Sequence, residues 1–249
     1  MRLLATVTYD GTYYAGYQIQ PNQTTIQSTI EKALMKLHKG ETIRIYASGR
    51  TDAGVHALGQ TFHFDSSLSI PLENWTRALN SLLPADIVVT NVREVGDHFH
   101  ARYNVKQKTY QYMIDNAPIP DPFQRHYMHH VKHELDLNAM KEACSYLEGE
   151  HDFSAFCAAN HTVKGSKVRE IYLAHIEKEG HTIRFTVSGS GFLYNMVRII
   201  VGTLMAIGEG KMPPETMQKI IASKDRSNAG KTAAPQGLYL KEVEYHTFD

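Results

Sequence analysis

The sequence predicts an α+β protein built as two ferredoxin-like halves around a central cleft, with mostly antiparallel sheets. Two observations predict it. Short stretches of apolar alternation mark strands, and apolar residues three and four apart mark helices between them. The order of these stretches, β-α-β-β-α-β, then comes a second time. The boundary falls near residue 104, giving halves 1–104 and 105–249 without a flexible linker. The repeat is one of element order, not of residues.

In the first half, Leu3, Ala5, Val7 and Tyr9 alternate, so residues 2–9 read as a strand. Asp10-Gly11 turns the chain, and Tyr13-Tyr14-Ala15-Gly16-Tyr17 reads as an exposed aromatic stretch. Thr24 and Gln27 have the spacing of a capping box. Ile26, Ile30, Ala33, Leu34 and Leu37 follow at helical spacing through His38. Residues 42–48 and 59–65 read as strands. Pro71 opens a helix that buries Trp75, Leu79 and Leu82, and Pro84 ends it. Residues 86–95 form the next strand.

The second half opens with a strand over 105–114. Leu137, Met140, Cys144 and Leu147 mark a helix. Residues 167–178 and 181–189 form a hairpin turning at Glu179-Gly180. A strongly apolar helix covers 192–207, and Pro213-Pro214 opens a short one ending near Ser223. Residues 237–246 are the last strand. Antiparallel sheets of this kind leave one face open, which suits a binding surface.

Composition narrows the functional classes. The chain has 249 residues, with 26 Lys and Arg against 26 Asp and Glu. A zero net charge argues against a nonspecific polyanion binder, so any RNA-binding cations must be gathered on one face. No apolar run has the length of a membrane span, and the N-terminus carries no apolar signal core. Two cysteines, Cys144 and Cys157, make no disulfide framework, so a reduced cytoplasmic protein is expected. Fourteen histidines, densest at His126-Tyr-Met-His129-His130, form no zinc-ligand pattern, and no metal is expected.

The stretch richest in chemistry is Ala47-Ser48-Gly49-Arg50-Thr51-Asp52-Ala53-Gly54-Val55-His56-Ala57, between two expected strands. Its glycines permit a tight turn and close approach of a ligand. Arg50 and Asp52 point the same way in an extended segment, and the guanidinium keeps the carboxylate ionised. On spacing alone, an Asx turn or cap accounts for Asp52 without any chemistry.

Three other features stand out. Lys106, Lys108, Tyr110 and Tyr112 share one face of a strand, which suits phosphates beside stacked bases or a plain solvated face. Arg198 sits in the apolar run Phe192-Leu-Tyr-Asn-Met-Val-Arg198-Ile-Ile-Val-Gly-Thr, where it either pairs with a buried carboxylate or snorkels to the surface. Lys164, Lys167 and Arg169 lie in a basic loop entering a strand, free to track an RNA backbone or to be solvated. Gly189-Ser190-Gly191 puts a turn ahead of the Arg198 helix, and Arg102 adds a cation near the boundary.

Gly-Arg-Thr-Asp-Ala-Gly-Val-His-Ala resembles the signature loop of the TruA-type tRNA pseudouridine synthases. The resemblance extends over nearly the whole chain, through Tyr9-Asp-Gly-Thr-Tyr-Tyr-Ala-Gly-Tyr-Gln18, Thr25-Ile-Gln27, Phe99-His100-Ala101-Arg102 and Tyr110-Gln-Tyr112. It continues through Asp152-Phe-Ser-Ala-Phe156, Phe192–Arg198 and Gly230-Lys-Thr-Ala-Ala-Pro235-Gln-Gly-Leu238. Tyr17 stands where a tryptophan is usual, and Ala155 and Gln236 are smaller departures.

The resemblance implies an isomerase that converts uridine to pseudouridine in the anticodon stem-loop of tRNA, at positions 38, 39 and 40. It implies a homodimer with no metal or organic cofactor. By position it makes Asp52 the catalytic nucleophile, Arg198 its partner, Tyr110 the ring that stacks on the target base, and Arg50 the residue filling the flipped nucleotide's place. A non-catalytic RNA-binding protein on the same fold is the alternative, and it has no need of Asp52. A hydrolase of N-glycosidic bonds would need a second acid, and no paired carboxylate is found.

Overall fold

Leu3, Ala5 and Val7 are fully buried in the first strand, β1 (Arg2–Tyr9), which is flanked by a strand on each edge. The computed structural model describes residues 1–158 and 165–246. On one side of β1 lies β3 (His56–Asp65), with Leu3 opposite Phe64 and Ala5 opposite Phe62. On the other lies β4 (Ile87–Val95), and both pairings are antiparallel. Between β1 and β3 run helix α1 (Ile26–Leu37) and the two-residue strand β2 (Tyr46–Ala47). Helix α2 (Leu72–Asn80) links β3 to β4.

Three local details depart from the sequence reading. The cap of α1 is Thr25, not Thr24. Its hydroxyl accepts the Ser28 N–H at 3.2 Å, and Ser28 Oγ accepts the Thr25 N–H at 3.1 Å. Gln27 instead ties the helix to its surroundings, donating to Glu31 Oε1 at 2.9 Å. The expected strand over 42–48 shrinks to Tyr46–Ala47, although Ile43 and Ile45 are buried. The Ile45 N–H is satisfied by Glu31 Oε1 at 3.2 Å, so it needs no ladder partner. In α2, Trp75 and Leu79 are buried, with Trp75 packed edge-on against Phe64 at 5.5 Å. Leu82 falls beyond the helix and is only half-buried.

The chain divides into two compact units. One is Met1–Lys106 together with the last strand from Tyr239, and the other is Gln107–Leu238. That last strand, β10 (Leu238–Tyr245), runs parallel to β3, with Tyr239 opposite His56 and Leu240 opposite Ala57. The sequence reading grouped it with the second half. The Tyr245 hydroxyl adds bonds to Thr61 Oγ1 at 2.5 Å and to the Ala101 carbonyl at 2.9 Å.

In the second unit, the part of β5 (Val105–Asp115) from Lys108 onward pairs antiparallel with β9 (Thr182–Gly189), which pairs with β8 (Val168–Glu179). Two short strands escaped the sequence reading: β6 (His129–His130), beside the end of β5, and β7 (Gly149–Asp152), at the edge of β8. Both are too short to show alternation. Helices α3 (Leu137–Ser145), α4 (Met196–Gly208) and α5 (Thr216–Ser223) complete the unit. Helix α4 starts four residues later than the apolar run suggests, since Asn195 takes a left-handed conformation at φ 58°. It is buried along most of its length, and Met140 of α3 packs on Gly208 at its end. The described residues form an α+β chain of mostly antiparallel strands and five α-helices. Among the described residues no helix is long and apolar enough to cross a membrane.

Candidate functional site

The Asp52 loop is held by the segment that follows β1. Tyr17 N–H donates to the Thr51 carbonyl at 3.0 Å, and Gly54 N–H donates to the Tyr14 carbonyl at 3.4 Å. Val55 N–H closes the turn on the Asp52 carbonyl at 3.2 Å. The two backbones lie so close that two glycines are required. A Cβ on Gly11 would sit 2.0 Å from the Val55 carbonyl oxygen. One on Gly16, whose φ is +87°, would sit 2.8 Å from that of Thr51. The motif at Tyr9–Gln18 and the motif at Gly49–Ala57 are therefore one structural feature.

Within the loop, Arg50 is exposed, Thr51 is buried and Asp52 is half-buried. Thr51 turns inward, leaving its two neighbours toward solvent. Its hydroxyl meets that of Tyr9 at 2.8 Å. Burial raises the Tyr9 pKa, so this phenol stays protonated. At the far end of the loop, buried His56 receives the Gly11 N–H on Nδ1 at 3.0 Å. The same nitrogen lies 3.2 Å from Asp10 Oδ1, and the ring stacks on Tyr239 at 4.8 Å. Asp10 itself accepts from the Thr12 N–H at 2.9 Å. These contacts fix the loop, with Asp52 half-buried between buried Thr51 and exposed Ala53.

The expected aromatic stretch is mostly interior. Tyr13 is 78% exposed, but Tyr14 and Tyr17 are buried. Tyr14 donates to Asp86 Oδ1 at 2.7 Å, whereas the Tyr17 hydroxyl has no hydrogen-bond partner among the described residues.

On β5 the stripe of cations and tyrosines runs from water into the core. Lys106 is exposed, Lys108 half-buried, and Tyr110 and Tyr112 buried. The two tyrosines differ in what they can do. Tyr112 donates its hydroxyl to the Ala234 carbonyl at 2.7 Å, and its ring lies against Gly237, so it is a packing residue. Tyr110 is 8% exposed and meets Phe192 edge-on at 5.0 Å.

Arg198 is half-buried on α4. Its Nε donates to the Ala233 carbonyl at 2.7 Å, and Nη1 donates to Asn195 Oδ1 at 3.1 Å. The segment 230–234 lies against α4 through two glycines. A Cβ on Gly202 would meet the Lys231 carbonyl oxygen at 1.7 Å, and one on Gly230 the Gly202 oxygen at 2.7 Å. The Gly230-to-Leu238 motif is thus the support of the arginine helix.

Of the basic loop, Lys164 lies outside the described residues. Lys167 and Arg169 are half-buried. Arg169 Nη1 donates to the Ser166 carbonyl at 2.9 Å and to the Val168 carbonyl at 2.6 Å, and burial lowers its pKa. Arg102 is exposed, 6.0 Å from the Tyr103 ring. Among the described residues no three His, Cys, Asp or Glu side chains cluster as metal ligands.

A family described as tRNA pseudouridine synthase matches residues 5–104 and 143–246. The chain is 53% identical over 244 residues to the tRNA pseudouridine synthase A of Oceanobacillus iheyensis, spanning 98% of this chain and 96% of that protein. It is 51% identical over 246 residues to that of Bacillus licheniformis, spanning 98% of this chain and 99% of that one. This chain belongs to the tRNA pseudouridine synthase family.

Such synthases are isomerases, and membership gives the chain that reaction class. The matched segments contain Arg50, Asp52, Lys167, Arg169 and Arg198. Lys106, Lys108 and Tyr110 fall between them but within the 98% of the chain shared with the relatives. Among solved structures, a Cbf5-Nop10-Gar1 complex is similar at 14% identity and a TM-score of 0.34, covering 81% of this chain and 54% of that one.

Sequence reasoning missed Tyr9, Thr51 and Gln60, whose Nε2 donates to the Gly49 carbonyl at 3.0 Å, as supports of the Asp52 loop. Tyr9 and Thr51 lie inside motifs already read, but nothing local marks this role, and Gln60 lies in none of them. Their importance comes from burial and from partners distant in the chain.

Proposed function

We propose that this chain isomerises uridine to pseudouridine in the anticodon stem-loop of tRNA, at positions 38, 39 and 40, with Asp52 as the nucleophile. The observation that carries this reading is the half-buried Asp52, presented by a loop tied down on both flanks, in a member of this family. The N1–C1′ bond breaks, the base turns, and a C5–C1′ bond forms. The proton lost from C5 is balanced by one gained at N1, so no redox or energy input is needed. A stacked base cannot turn, so the nucleotide must leave the stack. Arg50, exposed beside Asp52, takes the place it vacates. Tyr110 stacks on the flipped base, and its hydroxyl is the group to relay the C5 proton, releasing its own as it takes that one. Arg198 serves Asp52 as its cationic partner, keeping the carboxylate ionised.

Lys106, Lys108, Lys164, Lys167 and Arg169 hold the RNA backbone. The enzyme works as a two-fold homodimer in the cytoplasm, without a metal or organic cofactor.

The test is tritium release from tRNA labelled at uridine C5. Asp52→Asn is expected to bind tRNA like the parent protein and to release essentially no tritium, since an amide is neither anionic nor a competent nucleophile. Turnover near the parent rate would remove Asp52 from the chemistry. Tyr110→Phe, assayed in parallel, keeps the ring and removes the hydroxyl. Substantial residual turnover assigns it to stacking alone.

A further inference from the structure

Gln60 lies on β3 with no exposed surface, directly beneath the loop that carries Asp52. A buried primary amide has two acceptor and two donor positions to satisfy. All four are used. Oε1 accepts from Ser48 Oγ at 2.6 Å and from the Thr61 N–H at 3.0 Å. Nε2 donates to the Gly49 carbonyl at 3.0 Å and to the Tyr9 hydroxyl. Tyr9 in turn is bonded to Thr51 Oγ1 at 2.8 Å.

The pattern of these bonds matters more than their number. Ser48 and Gly49 enter the loop, and Thr51 immediately precedes Asp52. One side chain therefore grips the loop before Arg50 directly and after Arg50 through a single phenol. Ser48 is 1% exposed and Thr51 7%, so water does not compete for these contacts. Bonds inside such a network reinforce one another, and losing one member orphans the rest.

We propose that Gln60 is a positioning residue for the isomerisation, setting the place of Asp52 through Ser48, Gly49 and the Tyr9–Thr51 pair. This rests on Asp52 being the reacting carboxylate. Gln60 does not touch the RNA. Its removal should leave tRNA affinity intact and displace the nucleophile, and displacements of about 1 Å can cost roughly 100-fold in rate. Glutamate has the length but no donor for the Gly49 carbonyl or the Tyr9 hydroxyl, and methionine has neither donor nor strong acceptor.

The experiment compares Gln60→Met, Gln60→Glu, Ser48→Ala and Asp52→Asn with the parent protein, using uridine-labelled tRNA. Turnover, KM and tRNA affinity are measured together. Expected for both Gln60 variants is a fall in kcat of about 10- to 100-fold, with KM and Kd within about twofold. Ser48→Ala, which removes one hydroxyl and threatens folding least, should lower kcat in the same direction by a smaller factor. The double variant Gln60→Met with Ser48→Ala should lose less than the product of the two single losses, because both act through one contact. A folded Gln60→Met with unchanged kcat overturns the inference. So does a loss shared equally by tRNA affinity and turnover, and so does an unaffected Ser48→Ala where the Gln60 variants do not fold. If Asp52→Asn is itself active, the function proposed above fails; if it is inactive while Gln60→Met is fully active, only the positioning role fails.

Discussion

Arg198 and Ala233 exchange two hydrogen bonds. The arginine Nε donates to the Ala233 carbonyl at 2.7 Å, and the Ala233 N–H donates to the Arg198 carbonyl at 3.0 Å. The side chain of Arg198 thus holds a backbone segment, whatever its ionic role. Arg198→Lys keeps the charge but has no planar fork to match that carbonyl. It should cost up to about 1.5–3 kcal/mol, the range for a hydrogen bond to a charged group. Urea unfolding reads the cost, and turnover should fall with it. An unchanged unfolding midpoint would show that the Nε bond contributes nothing net.

The glycines at the Asp52 loop permit a sharper comparison. Gly11→Ala places a methyl group 2.0 Å from the Val55 carbonyl oxygen, and Gly16→Ala combines a φ of +87° with a contact at 2.8 Å. Each should destabilise by about 1–3 kcal/mol or push the loop aside. Gly40 is the control. Its φ is +101°, but nothing lies within 4 Å of its Cβ position. Gly40→Ala should show a backbone cost of about 1 kcal/mol and unchanged turnover. Equal turnover in all three variants would mean that the close approach of the two segments is unimportant to the site.

How much of this was legible in the sequence depends on range. The Asp52 loop was legible because its glycines and charges lie within a few residues. Strand β1 was legible because its inward residues alternate without interruption. Gln60 was not, because an amide in a strand gives no local sign that four partners surround it. The parallel pairing of β10 with β3 was invisible for the same reason, since it joins residues at opposite ends of the chain. Ile43 and Ile45 misled in the other direction. They alternate and are buried, but Glu31 takes the Ile45 N–H that a strand partner would have taken. Arg198, in its apolar run, either pairs with a buried carboxylate or snorkels, and two of its bonds go to a carbonyl and an amide oxygen, acceptors that no sequence pattern singles out.

His63 makes stability depend on pH. Its Nδ1 accepts the Ala101 N–H at 3.1 Å, and its ring is stacked with Tyr46 at 5.1 Å. Burial, followed by the neighbouring His100 and Arg2, pushes its pKa down to about 4 from 6.5. Between those values the unfolded chain binds the proton and the folded one does not. The stabilisation is therefore complete above about pH 6.5 and is lost as pH falls toward 4, by an amount on the order of 2–3 kcal/mol. His100, also shifted down by burial, acts in the same direction. His63→Asn keeps an acceptor near Nδ1 but does not titrate. Urea unfolding from pH 7 to pH 4 should show a shallower fall for this variant. Parallel curves would exclude His63 as the cause.

The basic residues divide by how firmly the protein already holds them. Lys106 is exposed on β5, whereas Arg169 donates to the Ser166 and Val168 carbonyls and is half-buried. Each phosphate contact releases counterions, so the slope of log affinity against log salt measures the number of contacts. Lys106→Ala and Lys108→Ala should each reduce that slope by about 1 for tRNA. Lys106→Ala should leave the unfolding midpoint alone, because an exposed lysine has little folded structure to support. Arg169→Ala should change both quantities, since its guanidinium braces the loop that leads into β8. A slope that no variant alters would place the RNA backbone on some other surface. A slope altered by Arg169→Ala alone would confine the contacts to the loop and leave Lys106 and Lys108 as a solvated strand face.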